Sequence, residues 1–199
     1  MSQTTKKKSA PLEIQFRRTG ERRYAVTVHR TGQPPMEMNP APGYDPLMPH
    51  DLLHFIVESE LGLRQGIFGQ IAEGGTAGTF AAVAAAGQNN REAARLRRRE
   101  NRRGDKLLRE GREDSVQSEY ATYICLQEWL KAADPARKKF APEMGSPARQ
   151  NRSQQLSAEN QPLNEAMLKR ICARMDELSA RWAALEIGQG LTVTWPGKA

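Results

Sequence analysis

Alternation of apolar and polar positions begins at Leu12. Leu12, Ile14 and Phe16 are separated by polar residues, Thr19-Gly20-Glu21 supplies a turn, and Tyr24, Val26 and Val28 resume the same step of two. Because a strand sends successive side chains to opposite faces, Leu12 to Arg30 is predicted to be a β-hairpin with one apolar face. On that count His29 points away from Val28. The stretch Thr31 to Pro49 is rich in Pro and Met and has no period, which predicts a crossing loop. At Pro49 the period changes. Proline suits the first turn of a helix, where a missing N–H costs nothing, Asp51 complements the positive helix start, and Gly62 suits its end. The helix is therefore expected over about Pro49 to Leu61.

Further along, Leu63 to Ala72 and the alanine-rich Thr76 to Ala86 read as helical pieces, with Gly66, Gly69, Gly74, Gly75 and Gly78 permitting close backbone approach. Gly66 to Gly87 is the stretch nearest to a membrane span, but Gln70, Glu73 and Gly74-Gly75 exclude one, so it is read as soluble and buried. Two amphipathic helices are expected over Ser115 to Ala132 and Leu163 to Leu185, joined by the Pro- and Ser-containing Asp134 to Pro162. The second carries Leu168, Ile171, Met175, Leu178 and Trp182 at helical spacing. Leu191 to Trp195 is a short strand able to join the hairpin as an edge. These elements predict an α+β fold: an N-terminal β-hairpin, completed by the C-terminal strand, packed on a mainly helical body. The expected organisation is a disordered basic tail over 1–11, the hairpin and a helical core over 12–87, an arginine-rich linker or exposed helix over 88–114, and C-terminal helices with a short strand over 115–199.

Composition changes the picture in two places. The chain has 199 residues, 38% hydrophobic but only 6% aromatic, and a formal net charge of +7. With pI near 9.7 and mean hydropathy −0.70, this fits a compact domain with polar appendages. Much of the charge is crowded between Gln88 and Glu113, where Arg97, Arg98, Arg99, Arg102 and Arg103 form the densest run. Such a segment buries little. It reads as a solvated helix or linker, or as a surface that contacts nucleic-acid phosphates or an acidic partner; the absence of interleaved aromatics argues against base stacking. The tail carries Lys6-Lys7-Lys8 without an apolar core, so it is not a secretory signal. Cys125 and Cys172 are separated in sequence and neither neighbours a His, which disfavours a disulfide scaffold and points to a cytoplasmic location.

The candidate chemistry lies in Pro49-His50-Asp51-Leu52-Leu53-His54. A four-residue step on a helix sets two imidazoles on one face at chelating distance, and here both fall on the apolar, inward stripe with Leu53, Val57 and Leu61. Imidazole nitrogens bind zinc and other divalent transition metals, and a third ligand is needed, for which His29, Glu58 and Glu73 are candidates. Asp51 would then be the general base acting on a metal-bound water. Two other readings stay open: structural core histidines with Asp51 as a helix-start carboxylate, and a metal-free catalytic histidine.

His50, Asp51 and His54 resemble the HExxH motif of zincin hydrolases with Asp in place of Glu. They also resemble the HDxxH motif of the coenzyme Q biosynthesis family. Both resemblances cover only these three residues and imply a divalent metal. In the coenzyme Q family a glutamate follows twelve residues beyond the second histidine; here that position is Gly66, and that largely helical family has no hairpin. No Walker A loop, Rossmann fingerprint or GxSxG occurs. The leading expectation is thus a metal-binding protein, a metal-dependent hydrolase in its fullest form, and the alternative is a non-enzymatic nucleic-acid or partner-binding protein with structural histidines.

Overall fold

A computed structural model describes residues 11–43, 45, 47–83, 90–132, 135–139 and 163–196. Its five-stranded antiparallel sheet has the order β4-β3-β2-β1-β5, built from β1 (Leu12–Gly20), β2 (Arg23–His29), β3 (Met36–Met38), β4 (Ala81–Ala82) and β5 (Gly190–Trp195). Register explains why one face is dry. Ile14 stands opposite Val28 on one side and Val193 on the other, Phe16 opposite Val26 and Leu191, and Leu12 opposite Trp195. Met36 and Met38 extend the same face opposite Val28 and Val26. A slip of one residue would turn this whole set to solvent, so the alternation itself fixes the pairing. The C-terminal strand joins β1 as an edge, as its pattern predicts, and the α+β class holds.

The helices are α1 (His50–Leu61), α2 (Ile67–Ala72), α3 (Asn90–Glu110), α4 (Arg112–Lys131), α5 (Pro135–Lys138) and α6 (Glu165–Ala183). Here α1 begins one residue after Pro49 and ends at Gly62, whose φ of 69° is left-handed and returns its N–H to the Glu58 carbonyl. Such a conformation favours glycine over residues with a Cβ. Helices α1, α4 and α6 pack on one another, and the dry face of the sheet shares their core through Phe55, Phe68 and Trp195, whose rings meet at 5.6–6.1 Å. Tyr24 and Trp182 meet edge to face at 6.3 Å, tying β2 to α6.

Two expectations are corrected and one left open is resolved. Inside the predicted loop, Met36–Met38 pairs with β2, because its two methionines match the apolar register although the run is too short to show a period. The alanine-rich Thr76 to Ala86 is not a helix where it is described: Ala81–Ala82 pairs with β3, and Phe80 N–H closes a turn on Thr76 O. Glycines at 74, 75 and 78 interrupt helical continuity there, two of them at positive φ. The arginine-rich segment, left open as linker or helix, is the 21-residue α3. It docks by close approach: a Cβ on Gly104 would come within 2.6 Å of Thr76 Oγ1. The basic tail apart from Pro11, and most of the Asp134 to Pro162 connection, lie outside the described residues. Among the described residues no helix is long and apolar enough to cross a membrane.

Candidate metal centre

Both histidines of the motif face the body of the protein. His54 is 2% exposed, and its ring stands edge to face with that of His50, at 87° and 4.8 Å between centroids. The two Nε2 atoms are 3.2 Å apart. Each ring is held from behind. His50 Nδ1 lies 3.2 Å from Asp45 Oδ2, and His54 Nδ1 lies 2.9 Å from Ser118 Oγ with Thr122 Oγ1 at 3.5 Å. The Ser118 hydroxyl in turn donates to Glu58 Oε1 at 2.8 Å.

Donor and acceptor roles follow from these partners. A carboxylate only accepts, so His50 Nδ1 carries a proton toward Asp45; the Ser118 proton is given to Glu58, so Ser118 Oγ accepts from His54 Nδ1. With the ring protons placed on Nδ1 in this way, both Nε2 atoms carry lone pairs and stand 3.2 Å apart.

Glu58 is completely buried, and its carboxyl accepts from the N–H groups of Ile67 (2.9 Å) and Phe68 (3.1 Å) as well as from Ser118. Burial pushes its pKa up to about 7, opposed by the Ile67 N–H, the Ser118 hydroxyl and the Phe68 N–H. Its position two turns after His50 therefore places it behind His54, engaged with the start of α2. The room for it comes from Gly66, where a Cβ would fall 2.4 Å from the carboxyl carbon.

The remaining candidates are placed elsewhere. His29 is exposed and pairs with Glu13, on the face of the sheet opposite to the apolar residues that meet α1 and α2, so the sheet lies between it and the histidine pair. Asp51 is buried and accepts from the Tyr24 hydroxyl at 2.5 Å. Burial raises its pKa despite that bond, and burial with the neighbouring Asp51 charge raises that of Tyr24. Held this way, Asp51 joins α1 to the sheet, with its Oδ2 engaged by the Tyr24 hydroxyl. Glu73 lies 3.9 Å from Arg103. Among the described residues no group of three or more His, Cys, Asp and Glu side chains stands ready around one ion.

Beside the pair opens a cavity of about 330 Å³ lined by His54, Glu58, Ser118, Glu119, Arg112 and Ser115, with Ile67, Leu108 and Val116 as its apolar wall. Glu119 Oε1 stands 3.9 Å from His54 Nε2. Sequence reasoning missed Asp45, Ser118, Thr122 and Glu119. The one signal available was that Ser118 and Thr122, four apart, share the buried stripe of α4 with Cys125 and Trp129. The two thiols take no part: both are free, and burial raises the pKa of each, that of Cys125 to about 12.

No protein-family model matches the chain, and comparisons with curated proteins and with solved structures give no significant match.

Proposed function

We propose that this is a metal-binding protein of the HDxxH type, with one divalent transition ion, zinc in the first instance, between His50 Nε2 and His54 Nε2. We propose further that it acts as a metal-dependent hydrolase on a small molecule entering the adjoining cavity. The observation that carries the reading is the 3.2 Å separation of the two Nε2 atoms. Nitrogens about 2.0–2.1 Å from a tetrahedral ion lie about 3.3–3.4 Å apart, so the rings already have nearly the separation a shared ion requires. Support also comes from behind the rings. Metal-bound histidines commonly donate their other N–H to a carboxylate or similar acceptor, which fixes the tautomer, and Asp45 and Ser118 occupy those two positions. A cavity of about 330 Å³ is within the range of small-ligand sites.

In this reading Glu58 is a positioning residue: completely buried and held by the Ile67 and Phe68 N–H groups, it accepts from the Ser118 hydroxyl that stands behind His54. Held by the two Nε2 atoms, the ion would supply Lewis-acid chemistry toward a water or a substrate oxygen in the cavity. The first test is metal content. Protein prepared without chelators is expected to carry about one zinc per chain, and stripped protein to regain it. Metal-free protein that takes up no zinc, cobalt or nickel would overturn the reading.

A second reading, that α3 contacts nucleic-acid phosphates, is favoured by the exposure of its arginines. Arg97, Arg98, Arg99, Arg102 and Arg103 all face solvent along one continuous helix. One of its acids, Glu100, is buried instead against Arg30 at 2.9 Å, where it offsets none of the exposed charge. If all five arginines met phosphates, log affinity for duplex DNA would fall with log salt at a slope of about −4.5, with little sequence preference. Replacing the five by glutamine is expected to flatten that slope while the fold is kept. Wild-type protein showing no salt-sensitive binding to DNA or RNA would return the charge to solubility.

A further inference from the structure

Resting on the metal reading above, we infer that Glu119 of α4 is the third protein ligand, making a two-histidine, one-carboxylate zinc site whose fourth position opens into the cavity. Neither spacing within α1 nor the motif points to this residue; the packing of α4 on α1 does. Glu119 Oε1 is 3.9 Å from His54 Nε2, the nitrogen that also faces His50 Nε2. That nitrogen–oxygen distance exceeds the roughly 3.3 Å of a tetrahedral site by an amount that a side-chain rotation removes. The Glu119 side chain is 43% exposed and so has freedom to make it.

Every other carboxylate near the pair is engaged elsewhere. Asp45 sits behind His50 at Nδ1, Asp51 holds the Tyr24 hydroxyl, and Glu58 holds two backbone N–H groups and Ser118. Glu119 alone of these lies on the Nε2 side, and it lines the cavity together with His54. One carboxylate and two neutral imidazoles suit zinc, with water as the fourth ligand in a catalytic arrangement. The 3.2 Å nitrogen separation subtends about 100° at an ion about 2.05 Å from each nitrogen, close to tetrahedral. Arg112, on the same cavity wall, makes no ion pair among the described residues and would meet an anionic group on whatever occupies that position.

The test uses the full chain, stripped of metal and titrated with zinc against a competing chelator, and separately loaded with cobalt(II). Glu119→Gln is expected to lower zinc affinity by more than about a hundredfold, beyond the tenfold to hundredfold typical of groups that only orient a ligand. It should also alter the visible cobalt spectrum, because a ligand has changed. Glu119→Asp should retain part of the affinity. Since the side chain is half exposed, the unfolding midpoint of the stripped variant should match that of stripped wild type. Zinc affinity and cobalt spectrum unchanged in Glu119→Gln would overturn the assignment while leaving the histidine pair as a metal site. Wild-type protein that binds neither ion would overturn both.

Discussion

Replacing His54 by alanine is expected to abolish stabilisation by zinc and to weaken the metal-free protein as well. In the wild type, zinc at a hundred times its dissociation constant should raise unfolding free energy by about 2.7 kcal/mol, because it binds the folded chain alone. Removing one of two imidazoles whose Nε2 atoms share an ion should lower affinity by about a thousandfold or more, which reduces that increment to nearly nothing at the same zinc concentration. His50→Ala should lose the zinc increment equally. The two variants should differ without metal. His54 is 2% exposed, and its loss opens a void beside Ser118 and Thr122, a change expected to cost about 2–4 kcal/mol. His50 is 25% exposed at its side chain, and its removal should cost about half as much. Urea unfolding of the three proteins with and without zinc measures all of this. A His54→Ala protein stabilised by zinc as strongly as wild type would show that the ion, if any, lies elsewhere.

Much of the fold is legible because period and register agree. Leu12, Ile14, Phe16, Val26, Val28, Leu191 and Val193 are apolar at alternate positions, and the sheet pairs them on one face. The helix bearing the histidines is equally legible, bounded by Pro49 and Gly62. Less legible is what stands behind and across from the histidines. Asp45 approaches from an irregular stretch with no period to place it. Ser118 and Glu119 lie 64 and 65 residues beyond His54, and only the packing of α4 on α1 brings them near. Asp51 shows the limit of motif reasoning: its neighbours at 50 and 54 suggest metal chemistry, yet its own direction on the helix takes it to Tyr24. His29 shows the same limit for strands, since the alternation that turned it away from Val28 also placed it on the far face of the sheet.

Gly66→Ala should be among the most damaging single substitutions, and its effect should depend on Glu58. The backbone is not the cause: φ at Gly66 is −69°, which alanine adopts readily, and loss of glycine from a helix start costs at most about 1 kcal/mol. Space is the cause. The added Cβ would lie 2.4 Å from both Cδ and Oε1 of Glu58 and 2.7 Å from Oε2. To escape, the carboxyl must leave the Ile67 and Phe68 N–H groups and the Ser118 hydroxyl, all buried or partly buried donors. Stranding such groups should cost about 2–4 kcal/mol, and with Ser118 no longer oriented toward Glu58, His54 loses the partner that fixes its tautomer. Zinc affinity should therefore fall by about tenfold or more although residue 66 touches neither histidine. In a Glu58→Ala background the carboxyl is gone, so adding Gly66→Ala should cost only the helix-start term of under about 1 kcal/mol. A double-mutant cycle in urea measures the difference. Equal costs in the two backgrounds would mean that α2 itself shifts to admit the methyl group, and that the Glu58, Ser118 and His54 chain is not what glycine at this position protects.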